Sequence, residues 1–230
     1  SKDYFFDFSD NLKYKGKTVR TNIYYDLYYS HENRNTSSSD STWRASLTNR
    51  NHSRTLRKYD LWKNSLNTYT SIRLPWEDRI GIITDFVYEN KKPNDTYSLV
   101  RTDYLDEGQT DRRNNYKDNS YHFYRYRLGA DYNRQLSPEW EISPHVSYTQ
   151  SYERTSNVRY RLDRIESLQD ELGILPSNDA MFSQALDMPN SYFYGWQEKQ
   201  WKTNLTLHRW AGNGNIEISL PLAFHNQRMH

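Results

Sequence analysis

The 230-residue chain contains no cysteine, which excludes disulfide bridges and thiolate metal sites. It also lacks any run of about 18 or more apolar residues, so no segment is predicted to cross a membrane as a helix. Basic and acidic residues nearly balance, 31 against 29, and nothing concentrates positive charge as a nucleic-acid partner would require. No signal peptide opens the sequence, because Ser1–Asp10 already resembles a strand. We would expect a secreted protein with this start to be mature or truncated.

Aliphatic residues are scarce, but aromatic residues are abundant. Apolar residues make up 35% of the chain and aromatic residues 16%, including 21 tyrosines and 7 tryptophans. Disordered chains are poor in aromatic residues, so this composition predicts a folded protein. A chain of this length is expected to form a single domain, here residues 1–230.

The main pattern is an alternation of apolar and polar residues with period two. In Thr18–Ser30 the odd positions include Val19, Ile23 and Leu27, and the even positions are mostly polar. Successive side chains of a strand point to opposite faces, so such a segment has one apolar and one polar face. Eight segments are predicted as strands of an antiparallel sheet: Lys2–Phe8, Thr18–Ser30, Lys58–Leu74, Arg79–Tyr104, Asp118–Arg134, Glu139–Leu162, Ser191–Trp210 and Asn215–Asn226.

The links between these segments alternate between short and long. Short links with turn residues are predicted at Asp10-Asn11 with Gly16, around Pro75 and Pro138, and at Ala211–Asn215, where Gly212 and Gly214 lie. Long outer loops are predicted near 31–56, 105–117 and 163–190. This arrangement favours an up-and-down barrel over a Greek-key sandwich. Within the third loop, Ile165, Leu168 and Leu172 predict a helix from Asp163 to Gly173, and a second helix is predicted over Asp179–Leu186.

Length and aromatic residues indicate a transmembrane β-barrel. A membrane-crossing strand needs about 9–11 residues, and several predicted strands are longer. Rings of tryptophan and tyrosine are typical of the two edges of such barrels. One ring is predicted from Trp76, Trp140 and Trp210 at the short links, and the other from Tyr25, Tyr29, Tyr88, Tyr148 and Tyr152.

The alternation also predicts which residues touch lipid. The lipid-facing set includes Ile23, Leu128, Ile142, Leu205 and Leu220. Arginine at Leu205 is expected to cost about 2–4 kcal/mol near mid-bilayer, whereas arginine at Thr206, on the other face, is expected to be mild.

No catalytic, cofactor-binding or metal-binding residues are predicted, and the ligand-binding residues are not identified by any motif. His145, His208 and His225 share the polar side of their strands but at different heights, so they are not expected to converge on one metal ion. Carboxylate pairs occur in or beside the links, at Asp103 with Asp106 and at Asp170 with Glu171. Without a nucleophile, acid and base in one place, an enzyme is not expected.

Three stretches, Ile80–Tyr104, Asn119–Asn133 and Trp140–Tyr152, resemble the barrel of bacterial outer-membrane TonB-dependent receptor-like proteins, in particular their outer-membrane β-barrel family. The resemblance lies in a repeated pattern of strand, tyrosine-rich rim and polar loop. It implies a barrel of about 22 strands, of which this chain would supply a third. It further implies an outer-membrane location, a plug domain and TonB outside this chain, and uptake of a siderophore, glycan, peptide or similar nutrient.

Two alternatives remain open from the residues alone. The even number of strands allows a complete eight-stranded outer-membrane barrel. A soluble, aromatic-rich, carbohydrate-binding β-sandwich would instead pack its apolar faces against each other around one dry core.

Overall fold

The computed structural model describes residues 2–44, 47–75, 77–105, 107–211 and 214–229. In this part of the chain, eight antiparallel strands form one sheet in sequence order, which confirms the predicted all-β, up-and-down architecture. The sheet is not closed: β1 pairs only with β2, and β8 only with β7, among the described residues. The strands are β1 (Lys2–Lys15), β2 (Val19–Arg44), β3 (Leu47–Arg73), β4 (Arg79–Tyr104), β5 (Gln109–Ser137), β6 (Trp140–Arg161), β7 (Tyr192–Ala211) and β8 (Gly214–Met229).

The strands are longer than predicted because two of the predicted loops are strand. Residues 31–44 and 47–56 pair with each other along β2 and β3, and β5 begins at Gln109, so the loops expected at 31–56 and 105–117 are wrong. Both faces are polar here, a pattern that resembles a loop in sequence. Cross-strand hydroxyl contacts such as Ser38 to Ser53, 2.9 Å between the Oγ atoms, bridge the hairpin instead. With 29 residues, β5 is about 95 Å long at ~3.3 Å per residue.

The short links lie at one end of the sheet. The first turn is at residues 16–18, where the Gly16 amide donates to the Val19 carbonyl at 2.8 Å. Asp10 and Asn11, predicted to begin this turn, lie inside β1. Gly212, predicted as a turn residue, lies outside the described residues, whereas Gly214 begins β8.

The connection from β6 to β7, residues 162–191 and here called the link, is the long irregular connection that was predicted. Its helix α1, predicted over Asp179–Leu186, spans Asp179–Ala185, and the side chain of the preceding residue, Asn178, caps it by accepting from the Met181 amide at 3.0 Å. The other predicted helix is wrong: two short 3₁₀ turns, Leu162–Arg164 and Glu166–Leu168, replace it. Ile165 and Leu168, two of the apolar residues that suggested it, are three positions apart, a spacing that also suits the tighter 3₁₀ turn.

The buried core lies between the link and the upper part of the sheet. Leu162 is fully buried at 0% exposure, and it packs with Ile165 and Leu168 against Tyr97 and Tyr116. This group is called the link cluster. Asn114, also buried, donates from Nδ2 to the carbonyls of Leu168 at 2.6 Å and Glu171 at 2.9 Å. The link is therefore an ordered cap held by apolar packing and by two buried hydrogen bonds.

The phenols of Tyr97 and Tyr116 in the link cluster should lose their protons at a higher pH than exposed tyrosines do. Burial, with smaller contributions from the carboxylates of Asp95 and Asp118, raises the pKa of Tyr97 from 10.0 to about 12, and the same causes raise the pKa of Tyr116 further. Because the folded-state pKa lies above the unfolded one, this stabilisation is complete below about pH 10 and is lost as the pH rises through the folded value. We expect an alkaline absorbance titration to show a late phase that Tyr97→Phe reduces and that denaturant abolishes. A single phase near pH 10 in the native protein would contradict the burial of these rings.

No helix within the described ranges is both long enough and apolar enough to span a membrane.

Candidate functional site

The candidate site is a mostly apolar face at the short-turn end of the sheet, here called the apolar band. The band consists of alternate residues from Val19 to Tyr29 on β2, Ile80 to Tyr88 on β4, Tyr124 to Tyr132 on β5 and Ile216 to Phe224 on β8. A few polar residues also lie on it: Asp10, Asn64, Thr68 and Thr70. The predicted set from Ile23 to Leu220 lies on this face. Leu205, Leu128 and Leu220 are 41%, 53% and 62% exposed.

No second layer covers the apolar band in the described part of the chain. Each strand contacts its sheet neighbours, and the link packs against β5 and β6 further up. Tyr116, in the link cluster, lies on the same face as Tyr124, since β5 pairs with β6 without a register shift from Asn115 to Asp131. The two tyrosines are separated by about 26 Å at ~3.3 Å per residue. Within the described residues, the second layer that a sandwich would require is therefore absent from the apolar band.

The upper edge of the band is a belt of aromatic rings. All five tyrosines predicted for this edge lie on one face of the sheet, and each contacts another ring on that face. Their contacts are Tyr25–Phe8 at 6.4 Å, Tyr29–Trp62 at 4.3 Å, Tyr88–His122 at 5.3 Å, Tyr148–Trp201 at 4.7 Å and Tyr152–Tyr124 at 5.4 Å between ring centroids.

This belt crosses the strands obliquely. The register leads from Tyr29 on β2 to Gly195 on β7 and from Tyr25 to Lys199, but the belt residue on β7 is Trp201, six and two positions further on. Six residues at ~3.3 Å correspond to about 20 Å, two residues to about 7 Å, and five strand spacings at ~4.8 Å to about 24 Å, so the slope is about 15–40°. Nine to eleven residues along strands tilted by these angles span a height of about 23–35 Å. The lower edge is less oblique, because Val19, Ile80 and Tyr132 follow one register.

The tryptophan ring predicted at the short-turn end does not form as expected. Trp140 lies on the apolar face, with the guanidinium of Arg209 5.1 Å from its ring centroid. Trp210 has the opposite parity to Leu205 and Leu207, and it stacks on His208 at 6.0 Å on the polar face. Trp76, the third residue of the predicted ring, lies outside the described residues.

An open hollow of about 580 Å³ interrupts the apolar band where Pro144 lies in β6. Proline cannot donate to a ladder, and the β5–β6 pairing passes from Asp131–His145 directly to Arg134–Ile142. The hollow is lined mainly by aliphatic side chains, among them Ile80, Val146, Leu205 and Leu222. Asp131, His145 and Asn204 also contribute to its lining.

The opposite face, here called the polar face, is charged along its whole height. An ion pair bridges β3 and β4, with Lys63 Nζ 3.3 Å from Glu89 Oε2, and within β4 Lys91 Nζ lies 3.1 Å from Glu89 Oε1. The Ser65 hydroxyl donates to Asp26 at 3.0 Å. Such a face requires water or other polar groups beside it, because unsolvated charges are costly.

The three candidate histidines lie on the polar face at separate heights, as predicted. His145 pairs with Asn204 in the register, whereas His208 pairs with Glu141 and His225 with Gln200. His225 Nε2 lies 2.7 Å from Glu198 Oε1, and His208 Nδ1 lies 3.7 Å from Glu217 Oε2. In the described ranges, no group of three or more His, Cys, Asp or Glu residues is placed to hold a metal ion.

The carboxylates noted in the links form ordinary ion pairs. Asp103 accepts from Arg101 Nε at 2.9 Å and from the Thr110 hydroxyl at 2.8 Å, and Asp170 lies 3.1 Å from Arg112 Nε. Asp106 lies outside the described residues. These groups stabilise the upper hairpins and the link.

Comparison with known proteins gives no family. No model of a known protein family matches the sequence, and no curated protein matches it. Among solved structures, the chain is similar to the siderophore receptor PiuA from Acinetobacter baumannii, with 8% sequence identity and a TM-score of 0.24. The alignment covers 100% of this chain and 47% of that receptor, so the chain spans about half of the receptor's length. A likeness of this size identifies neither a fold nor an activity.

Proposed function

We propose that these strands form part of the wall of a transmembrane β-barrel in the bacterial outer membrane, with the apolar band against lipid. The observation that supports this most strongly is an uncovered apolar band with an oblique belt of aromatic rings at its upper edge. Transmembrane barrels have strands tilted by about 35–45° and an apolar belt about 25 Å tall, flanked by aromatic residues. The slope from Tyr29 to Trp201, about 40°, lies within the first range, and the band height of about 23–35 Å includes the second value.

The polar face would then line the lumen. Charged and hydroxyl side chains such as Lys63, Glu89 and Ser65 are typical of the interior of a water-filled or plugged barrel. We assign the chain a structural and transport role, without catalysis, in which the wall guides a nutrient across the membrane. No nucleic-acid partner is part of this proposal.

The open edges favour a larger barrel over a closed eight-stranded one. β1 and β8 each leave one side of their backbone unpaired among the described residues. In hydrocarbon each unpaired polar group costs several kcal/mol, so further strands must complete the wall. We propose a TonB-dependent, receptor-like barrel of about 22 strands, with a plug domain outside this chain.

Tryptophan fluorescence tests which face touches lipid. Trp201 lies on the apolar face and is 50% exposed, whereas Trp196, five positions earlier on β7, lies on the polar face and donates from Nε1 to Glu153 at 3.1 Å. We expect phospholipids with brominated acyl chains to quench a variant of the complete protein that retains Trp201 alone. The matched variant retaining Trp196 alone should keep most of its fluorescence.

Equal quenching of the two variants would contradict the assignment of faces. Strong protection of Trp201, together with a monomeric protein that stays soluble without detergent, would favour the sandwich class instead.

A further inference from the structure

Five basic residues crowd the polar face beside the turns that join β1 to β2 and β3 to β4. They are Lys15, Lys17, Arg20, Arg73 and Arg79. Four of them, with the hydroxyls of Thr18 and Ser71, line a hollow of about 70 Å³. This site is called the basic hollow.

The register places like charges directly opposite each other. Lys15 pairs with Arg20 across β1 and β2, and Arg73 pairs with Arg79 across β3 and β4. Arg20 also pairs with Ser71, so the two cationic pairs lie close together on one face. Directly opposed like charges destabilise a sheet. Two such pairs lie side by side here, so a bound anion would reduce the repulsion between their positive charges.

The carboxylates nearby neutralise only part of this charge. Arg73 Nη2 lies 3.0 Å from Glu77 Oε1 at the exposed turn. The Asp131 carboxylate lies over Gly81, where a Cβ atom would be 2.4 Å from its oxygens, and Gly81 pairs with Ser71. Among the residues that the structure describes, Arg20 and Arg79 form no ion pair. The basic hollow therefore retains a net positive charge.

We propose that the basic hollow binds a tetrahedral oxyanion, phosphate, either free or as a phosphate monoester. Its small volume, about 70 Å³, suits one small anion rather than a sugar. Guanidinium groups present paired N–H donors that match phosphate oxygens, and the hydroxyls of Ser71 and Thr18 supply further donors. This inference does not depend on which medium covers the apolar band.

Calorimetric titration of the complete protein with inorganic phosphate, glycerol phosphate and acetate tests the site. We expect phosphate or its monoester to bind, acetate to bind at least about tenfold more weakly, and Arg20→Gln to weaken phosphate binding about tenfold, because a charge-assisted hydrogen bond is lost. Arg125→Gln removes the same charge from an exposed position elsewhere on the polar face and should leave binding unchanged.

Thermal unfolding distinguishes loss of the phosphate site from loss of folding in the Arg20→Gln variant. Without phosphate, Arg20→Gln should raise the unfolding temperature, because it removes the repulsion with Lys15. Added phosphate should stabilise the unmodified protein more than it stabilises the variant, because the variant binds phosphate more weakly. The proposal is overturned if neither phosphate compound binds, if acetate binds equally well, or if Arg125→Gln weakens binding as much as Arg20→Gln.

Discussion

Replacing Leu220 by arginine should destabilise the folded protein in a lipid bilayer by about 2–4 kcal/mol. Leu220 lies at the middle of the apolar band on β8, where it is 62% exposed. A lipid-facing arginine at mid-bilayer loses its hydration, whereas an arginine in water at the same exposed position would change stability by no more than about 0.5 kcal/mol. Urea unfolding in phospholipid vesicles measures the difference.

Ser219→Arg is the matched control, at nearly the same height but on the opposite face. The Ser219 hydroxyl bonds Thr206 at 3.1 Å and Glu217 at 3.3 Å, and the Glu217 carboxylate offers the new guanidinium a partner. We expect this variant to lose less than about 1 kcal/mol. Thr206, the control chosen from the sequence, is unsuitable because it is only 7% exposed. Similar losses at Leu220 and Ser219 would refute a lipid-facing apolar band.

Truncating Leu162 to alanine should release the link, at a cost of about 2–5 kcal/mol. Leu162 is fully buried in the link cluster between the first 3₁₀ turn and the rings of Tyr97 and Tyr116. Removing its methyl groups leaves a cavity there, so local opening should become more frequent. Hydrogen exchange of the Leu168 and Leu186 amides, both bonded within the link, measures that opening.

Ile174→Ala provides the comparison for this variant. Ile174 lies in the same link but is 48% exposed, so its truncation should change stability by no more than about 0.5 kcal/mol. Asn114→Ala should resemble Leu162→Ala, because it leaves the carbonyls of Leu168 and Glu171 without their shared donor. Unchanged exchange in both Leu162→Ala and Asn114→Ala would mean that the cluster does not hold the link.

The link shows how far local spacing can predict structure. Asn178 followed by a helix-forming segment predicted α1 correctly, since capping is a local interaction between the Asn178 side chain and the Met181 amide. The spacing of Ile165 and Leu168 correctly predicted that both side chains are buried. It also predicted an α-helix, whereas the chain forms two 3₁₀ turns there. Their conformation depends on the rings of Tyr97 and Tyr116, which are distant in sequence.

The basic hollow was missed because its residues come from two separate turns. Lys17 and Arg20 follow Gly16, and Arg73 and Arg79 flank the turn between β3 and β4. Basic residues on both sides of two short turns were the available signal. Only the register shows that Lys15 faces Arg20 and that Arg73 faces Arg79.

The sequence by itself determined the eight strands and their order, and it separated an apolar from a polar face, because alternation with period two is a local property of each segment. It also placed the five tyrosines of the belt on one face.

The tertiary structure decided how long the strands are and at which height each residue lies along them. Pairing turned two polar predicted loops into tall hairpins. An extra residue between Lys91 and Asn94 shifted the alternation of β4, so that Tyr97 shares the face of Tyr88. The stagger between neighbouring strands sets the oblique course of the belt. The sequence did not predict it, because register relates two strands and cannot be read from either one alone.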